Sequence, residues 1–457
     1  MRKQLYIKTW GCQMNSHKTE GIAGLLAQFG YELCDDINGA DVVIFNTCAV
    51  REKAEQKVYG KLGELLQRKR KSRFLLGVGG CMAQVQKEKL LRRYPEIDFL
   101  FGTTDINKLP LLISRCNGQA ADKKDRVSIS QPCRIEDLPY RRRSNFQAMV
   151  TITEGCSHFC SFCIVPYAKG LMRSRSPKEI IDEVTEITTQ GYKEVLLLGQ
   201  NVDAYGRDNP EYGDFAGLLS QVSKVPIPRI RFISSHPRDM TISVLEEMAS
   251  AANICEHLHL PCQSGSDRIL TAMNRMYTRA QFLALITNAR EIIPRLNITT
   301  DLIVGYPTES EDDFSLTLSL LEEARFGSVF VAKYSPRPGT MSANLPDDVP
   351  TEVKEERLQK VLRRQRQIAR EEKEKLLAQE AAVLVEGMNR QEGTLFGRMR
   401  DYRTVLFPGD ESLIGEIITV VIEESSTGSL KGRTLQPLKT PERRGKKGSR
   451  CEERGSR

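Results

Sequence analysis

The chain has no run of about 18 consecutive apolar residues, the length a helix needs to span a bilayer. It also has no charged-then-apolar leader: Met1-Arg-Lys-Gln-Leu-Tyr-Ile-Lys8 runs directly into an extended pattern. Both absences predict a soluble, cytoplasmic protein without membrane contact. Disulfides are rare in that reducing compartment, so the 12 cysteines read as metal ligands or buried thiols. A third absence is local. The stretch Glu154-Gly-Cys-Ser-His-Phe-Cys-Ser-Phe-Cys-Ile164 places Cys156, Cys160 and Cys163 in CxxxCxxC spacing with no fourth cysteine beside them.

That missing thiolate carries the chemistry. A structural zinc site takes four ligands and a [4Fe–4S] cluster has four irons to cap. Three thiolates on such a cluster leave one iron open to a ligand from outside the protein. The competing reading is a zinc knuckle completed by His158 or by a distant residue. His158 lies inside the first loop, where its ring is poorly placed to reach the same ion.

The first hundred residues repeat one pattern three times. Leu5-Tyr-Ile-Lys-Thr-Trp-Gly-Cys12, Asp41-Val-Val-Ile-Phe-Asn-Thr-Cys48 and Phe74-Leu-Leu-Gly-Val-Gly-Gly-Cys81 are extended runs ending in cysteine. Helical patterns follow over 16–29, 50–70 and 84–93. Alternating apolar strands and helices predict a parallel sheet, whose ligands bind beyond the carboxyl ends of the strands. Cys12, Cys48 and Cys81 would then share one edge and form a second tri-thiolate set. The bland alternative is that each is a small buried hydrophobe. Cys34, Cys116, Cys133, Cys255 and Cys451 have no such placement and read as structural. Residues 119–141 lose periodicity and read as a linker.

From 142 the alternation resumes. Strand candidates are Ala148–Thr153, Glu194–Leu198, Ile230–Ser234, His257–Leu260, Ile298–Val304 and Val329–Tyr334, with helical patterns near 177–190, 214–223, 239–252, 266–293 and 311–324. Six β/α repeats predict an incomplete barrel, with the cysteine triplet at the mouth, where barrel enzymes keep their chemistry. The other strand ends bring polar groups to that mouth, among them Gln200, Asn201, Gln263 and Asp301. They are candidates to hold a ligand with amino, carboxylate, ribose and adenine groups. His236, His257 and His259 read as satisfied structural histidines.

Thr351–Glu380 reads as a long charged helix with one packed stripe and a solvated basic face. Residues 381–438 switch to short β-runs broken by glycine, the pattern of a small β-barrel. Within it Arg398, Arg400, Tyr402 and Arg403 mix cations with an aromatic ring, as RNA-binding barrels do. In the tail, 439–457, eight Lys/Arg face three Glu, which supplies most of the net charge of +8 and predicts a disordered, solvated end.

The cysteine triplet, with Phe162 before its last cysteine, resembles the signature of the radical S-adenosylmethionine superfamily. Thr9-Trp-Gly-Cys-Gln-Met-Asn15, Asn46-Thr-Cys-Ala-Val-Arg-Glu-Lys-Ala-Glu-Gln-Lys-Val58, Gly79-Gly-Cys-Met-Ala-Gln84, Leu197-Leu-Gly-Gln-Asn-Val202, Leu260-Pro-Cys-Gln-Ser-Gly-Ser-Asp267 and Thr300-Asp-Leu-Ile-Val-Gly-Tyr-Pro307 resemble the methylthiotransferases within it. The C-terminal run resembles a TRAM domain. The resemblance implies an α/β enzyme in five parts. These are an N-terminal domain (1–118), a linker (119–141), a radical S-adenosylmethionine core (142–375), a TRAM domain (376–438) and a basic tail (439–457).

It also implies two [4Fe–4S] clusters, one on Cys156, Cys160 and Cys163 and an auxiliary one on Cys12, Cys48 and Cys81. S-adenosylmethionine is both radical source and methyl donor. The wording of the N-terminal motifs points to the branch acting on isopentenylated tRNA, which converts N6-isopentenyladenosine at position 37, next to the anticodon, to its 2-methylthio form. Expected partners are tRNA, a flavodoxin- or ferredoxin-like electron donor and a sulfur source, for a monomeric enzyme. Alternative substrates are threonylcarbamoyladenosine in tRNA or an aspartate of a ribosomal protein. A non-enzymatic alternative is an iron–sulfur RNA-binding or cluster-carrier protein. Cys262 departs from the pattern, standing where an apolar residue is usual and adding a thiol near the mouth.

Overall fold

The structure, a computed structural model, describes residues 2–49, 52–69, 73–117, 126–132, 135–426 and 428–435. Cys133, Cys451, the tail 439–457 and residues 119–125 of the expected linker lie outside them.

Each strand-to-cysteine run folds as its alternation predicts. The elements are β1 (Lys3–Thr9), α1 (Gln13–Gln28), β2 (Tyr31–Leu33), β3 (Val42–Thr47), α2 (Glu52–Lys69), β4 (Leu75–Gly80), α3 (Cys81–Arg93), β5 (Phe99–Phe101), α4 (Leu109–Asn117) and β6 (Val127–Ser128). All six strands are parallel, in the order β2-β1-β3-β4-β5-β6. Successive residues of β3 feed opposite faces, since side chains alternate along a strand. Val42 and Ile44 pack with Ile22 and Leu26 of α1 and Leu109 of α4. Val43 and Phe45 pack with Val58 and Leu62 of α2 and with Met82 of α3. Burying each such side chain contributes about 1.5–3 kcal/mol.

The expected linker is not free. Val127 and Ser128 extend the N-terminal sheet as β6, and Leu138 is buried against α1. Arg141 N donates to Glu20 O, and the carbonyl of Pro139 lies so close to Gly24 that a Cβ there would meet it at 1.7 Å. Low periodicity marks irregular backbone, not a loose connection. Here short apolar contacts hold that backbone down.

The central region comprises β7 (Gln147–Thr151), β8 (Thr153–Glu154), α5 (Val165–Lys169), β9 (Arg173–Ser174), α6 (Pro177–Thr189), β10 (Glu194–Leu198), α7 (Phe215–Val222), β11 (Arg229–Phe232), α8 (Ile242–Ser250), β12 (His257–His259), α9 (Asp267–Ala272), α10 (Arg279–Ile292), β13 (Asn297–Val304), α11 (Glu311–Ala324) and β14 (Ser328–Lys333). Its long strands form two parallel sheets, β11-β10-β7 and β12-β13-β14, linked by a bridge between Ile230 and Ile254. Polar caps start the helices. Ser176, Asp214, Thr241 and Ser266 each accept a backbone N–H, while Thr278 and Ser310 form capping boxes.

One helix expected over 266–293 is instead two. Asn274 and Met276 take positive φ values of 56° and 57° and break it, and Thr278 restarts the second half. The break presents Arg275 to the cysteine loop.

Helix α12 (Thr351–Glu374) ends earlier than expected and drives Val361 and Ile368 into the central core. Its cationic face is not wholly solvated: Lys354 and Arg357 are buried, and Arg357 Nη1 pairs with Glu309 Oε2 at 2.7 Å. The chain then closes a five-stranded barrel from β15 (Glu380–Asn389), β16 (Thr394–Met399), β17 (Thr404–Phe407), β18 (Ile417–Ser425) and β19 (Leu430–Thr434), in the order β15-β16-β17-β19-β18. This barrel sits beneath the central strands, at their amino ends. Arg229 and Arg231 of β11, His257 of β12 and Asn297 of β13 all touch it. The cysteine triplet lies at the opposite, carboxyl end. Among the described residues no helix is long and apolar enough to cross a membrane.

Candidate active site: two cysteine triads

The N-terminal triad is assembled by hydrogen bonds between the three strand ends. Asn15 Nδ2 donates to Trp10 O (2.8 Å) and Thr47 O (3.1 Å), tying the Cys12 turn to the Cys48 turn. Asn46 Nδ2 returns a bond to Asn15 O at 2.8 Å, and Thr47 Oγ1 donates to Gly79 O at 2.6 Å beside Cys81. Gly11, at φ 121°, lies against Cys48, and a Cβ there would sit 2.6 Å from Cys48 Cβ. Only glycine suits both that conformation and that approach. Burial pushes the Cys81 thiol up to about 12, and the neighbouring Cys48 and Cys12 act in the same direction. Metal ligation requires the thiolate, so a bound cation would reverse that shift.

The second triad sits in a loop pinned from three sides. Cys156 N donates to Gly170 O, Ser161 N to Met273 O, and Ser342 N to Ser161 O. Asn274 Nδ2 holds Phe159 O at 2.9 Å. Phe162 packs against Ile269, Met273, Tyr306 and Tyr334, so the apolar residue before the last cysteine anchors the loop. Burial raises Cys156 to about 11 and Cys163 to about 12, with the thiol of Cys160 adding to both. Arg275, fully enclosed, donates Nη1 to Cys160 Sγ at 3.4 Å and Nη2 to Pro261 O at 2.6 Å. A buried guanidinium against a sulfur is what an anionic tri-thiolate cluster would need nearby. Both triads thus fit the group that their spacing implies: three converging thiols, glycine where bulk would intrude, and a cation within reach.

The polar candidates at the mouth divide. Gln200 Oε1 accepts the N–H of Gly155, so it shapes the turn into Cys156. Asn201 Nδ2 donates to Asp239 Oδ2 at 2.5 Å, and its Oδ1 is buried without a protein partner. Gln263, at φ 70°, sits beside β13 with its N–H on Asp301 O at 2.9 Å. The Asp301 carboxylate is 3.4 Å from His259 Nε2 and partly open.

Asp239 was not anticipated. It gathers His158, Asn201 and Arg207, and although burial works against its charge, these donors hold it below the usual carboxylate range. His158 therefore turns to Asp239, which disfavours its use as a fourth zinc ligand. His158, His236 and Asp239 bring ligand atoms within 4.8 Å of one another, yet Asp239 is already spent on three donors. Cys262 also departs from expectation. It is fully buried in the core, bonded by Thr300 Oγ1 at 3.3 Å, and burial raises it to about 12. It does not line the mouth.

The four residues expected to face RNA form a seam instead. Arg400 holds Glu256 through Nε (2.9 Å) and Nη2 (2.9 Å), and Tyr402 stacks on His257 with centroids 4.7 Å apart. Arg398 lies over the Tyr402 ring and pairs with Glu386, and Arg403 pairs with Asp401. Their carbonyls and rings meet the floor of the central barrel. Composition could not distinguish an RNA face from an internal contact, since both favour arginine and tyrosine.

A cavity of about 340 Å³ lies between the N-terminal and central regions. Ala49, Val85, Leu90, Ile164 and Pro338 supply apolar wall, while Tyr59, Lys89, Arg93 and the Glu55–Arg337 pair give it an aromatic and charged rim with more cations than acids. Ala49 follows Cys48 and Ile164 follows Cys163, so the cavity borders both triads. Arg337 crosses from the central region to Glu55 at 3.0 Å.

Three family descriptions match in series: "Uncharacterized protein family UPF0004" over residues 4–102, the radical SAM superfamily over 150–321 and the TRAM domain over 374–435. Curated relatives named tRNA-2-methylthio-N(6)-dimethylallyladenosine synthase match along nearly the whole chain. The protein from Moorella thermoacetica is 45% identical over 442 residues, covering 95% of this chain and 99% of that one. That from Carboxydothermus hydrogenoformans is 43% identical over 438 residues, covering 94% and 99%. Among solved structures, the radical S-adenosylmethionine methyltransferase TsrM from Kitasatospora setae, which binds cobalamin and a [4Fe–4S] cluster, superposes with a TM-score of 0.57. It is 14% identical and the match covers 75% of this chain and 74% of that one, a likeness of fold. With its two cysteine triads, its TRAM barrel and relatives this similar from end to end, the chain belongs to the radical S-adenosylmethionine methylthiotransferase family.

Proposed function

We propose that the protein converts N6-isopentenyladenosine at position 37 of tRNA to 2-methylthio-N6-isopentenyladenosine. End-to-end similarity to relatives named for this one activity is the observation that carries this reading. Cys156, Cys160 and Cys163 would hold the cluster that binds S-adenosylmethionine, and Cys12, Cys48 and Cys81 the auxiliary one. When bound, these groups supply a carbon radical able to take an unactivated hydrogen and a sulfur able to accept a methyl group.

The chain's own residues arrange the meeting. Gln200 fixes the turn before Cys156, and the Asp239 hub fixes His158 and Asn201 around the same turn. Asn201, Gln263 and Asp301 are assigned to S-adenosylmethionine, with the unpartnered Oδ1 of Asn201 offering an acceptor. The cavity beside Ala49 and Ile164 has apolar walls that suit a prenylated adenine and a cationic rim that suits its phosphates. An electron donor of flavodoxin or ferredoxin type, a sulfur source, a monomeric state and a cytoplasmic location complete the proposal.

Mass spectrometry of tRNA nucleosides from a deletion strain tests it. Loss of 2-methylthio-N6-isopentenyladenosine with accumulation of N6-isopentenyladenosine is expected. Unchanged levels of both would refute it.

A further inference from the structure

Between the two triads runs a buried line of charge: Lys18, Glu154 and Lys169. Lys18 lies on α1, which starts beside Cys12, and Glu154 stands two residues before Cys156. Lys169 closes α5, the helix after Cys163. Glu154 is fully buried, and both lysines are 5% exposed. Glu154 Oε1 is 3.2 Å from Lys169 Nζ, and its Oε2 is 3.4 Å from Lys18 Nζ. Lys18 has a second carboxylate, Glu136, at 3.9 Å.

Lys169 has no second carboxylate of its own among the ion pairs of the described residues. After Glu154, its strongest electrostatic neighbours are two thiols, Cys81 and Cys12. Packing places it there: Ala168 of the same helix and Ile164 at its N-cap lie against Cys81 and Ala49, and Thr103 Oγ1 holds Ala168 O at 2.9 Å. An ammonium taken out of water costs several kcal/mol unless opposite charge surrounds it. Glu136 answers Lys18 alone, and Glu154 is shared between both ammoniums, so the charge of Lys169, the one beside the thiols, is the less neutralised of the two. Three thiolates on a [4Fe–4S] cluster leave a net negative charge, which a partly neutralised ammonium would stabilise.

We propose that Lys169, a residue of the central region, is a positioning residue for the cluster of the N-terminal region. It supplies that cluster with a buried cation and so raises its reduction potential, while Glu154 tempers the effect. The inference rests on the cluster assignment given above for Cys12, Cys48 and Cys81. It makes the potential of the auxiliary cluster depend on how the two regions dock, because the cation and the thiols belong to different ones.

The test uses the full-length chain carrying Cys156→Ala, Cys160→Ala and Cys163→Ala, reconstituted without oxygen, so that only the N-terminal cluster remains. Potentials are read by titration followed by electron paramagnetic resonance. Lys169→Met should shift the potential negative with iron retained, and Lys169→Arg should restore it. Glu154→Gln should shift it positive, because the ammonium is then less neutralised. Lys18→Met should move it less than Lys169→Met. Loosened packing would drive the first and third variants in the same direction, so shifts of one sign would overturn the proposal, as would a loaded Lys169→Met with an unchanged potential. If Lys169→Met takes up no iron, Glu154→Gln decides by its positive shift, and Lys169→Arg should stay at the parent potential. An iron-free parent would overturn the cluster assignment and this proposal with it, whereas a loaded parent with unmoved variants overturns only the role of Lys169.

Discussion

Arg231 donates its Nε hydrogen to Glu194 Oε2 across 2.7 Å, and both side chains are only 2% exposed. The same guanidinium gives its terminal nitrogens to the carbonyls of Arg400 (2.6 Å) and Met399 (2.7 Å), and Arg229 does likewise to Arg398 and Ala382. Two arginines of one central strand therefore clamp the backbone of the C-terminal barrel. The clamp holds that barrel to the floor of the central one, away from the triads.

Arg231→Met leaves the Glu194 carboxylate buried without its cation and with only the Gln147 amide as donor. Removing one member of a buried ion pair costs about 3–5 kcal/mol. Denaturant unfolding should show that loss, with early proteolysis between 375 and 380, where α12 meets β15. Unchanged stability would mean the clamp contributes nothing.

Arg400→Ala should weaken this seam rather than RNA binding. Its pair with Glu256 is partly exposed and is worth about 1 kcal/mol or less. The dependence of tRNA affinity on salt should keep its slope. A residue that contacts phosphate would lower the slope by about 1 when removed, and that result would restore the RNA-facing reading.

Triple replacement of either cysteine set by alanine should leave about half of the roughly eight irons expected for two [4Fe–4S] clusters. Iron analysis after anaerobic purification decides. Loss of nearly all iron from one triple variant would show that the two sets do not fold independently.

Arg275→Leu removes a charged donor from Cys160 Sγ at the break between α9 and α10. A hydrogen bond to a charged group is worth about 1.5–3 kcal/mol, roughly 10- to 100-fold. Iron content should hold while reductive cleavage of S-adenosylmethionine falls by about that factor and the cluster's potential moves negative. Arg275→Lys should recover part of both.

Glu154 links protein stability to acid. Burial alone would raise it, but Lys18, Lys169 and Arg173 prevail and hold it at about 2, below its ordinary 4.5. A depressed carboxylate contributes stability that is present above about pH 4.5 and lost as pH falls through about 2. The stability gap between cluster-free wild type and Glu154→Gln should be on the order of 3 kcal/mol at neutral pH and shrink across that window. A gap that is constant with pH would remove the charge from the explanation.

Much of the architecture was readable because it is local. Cys156, Cys160 and Cys163 are fixed by spacing within eight residues. The strand ends at Cys12, Cys48 and Cys81 follow from an alternation that puts Val42 and Ile44 on one face and Val43 and Phe45 on the other. Ser176 announces its helix by itself. The break at Asn274–Met276 was missed because it disturbs an apolar pattern by only a few residues. The docking of Leu138 was missed because a single leucine in an irregular run carries no period.

Spacing and period are properties of neighbouring residues, so both triads, the parallel strands that end at them and the C-terminal barrel were legible in the chain alone. What charge stands beside each thiol emerged only from the folded arrangement. Arg275 meets Cys160 from 115 residues away, Lys169 sits between two regions, and Arg400 turns to Glu256 instead of solvent. Which partner a buried cation finds depends on long-range packing, because leaving that cation unpaired costs more than any local preference can repay.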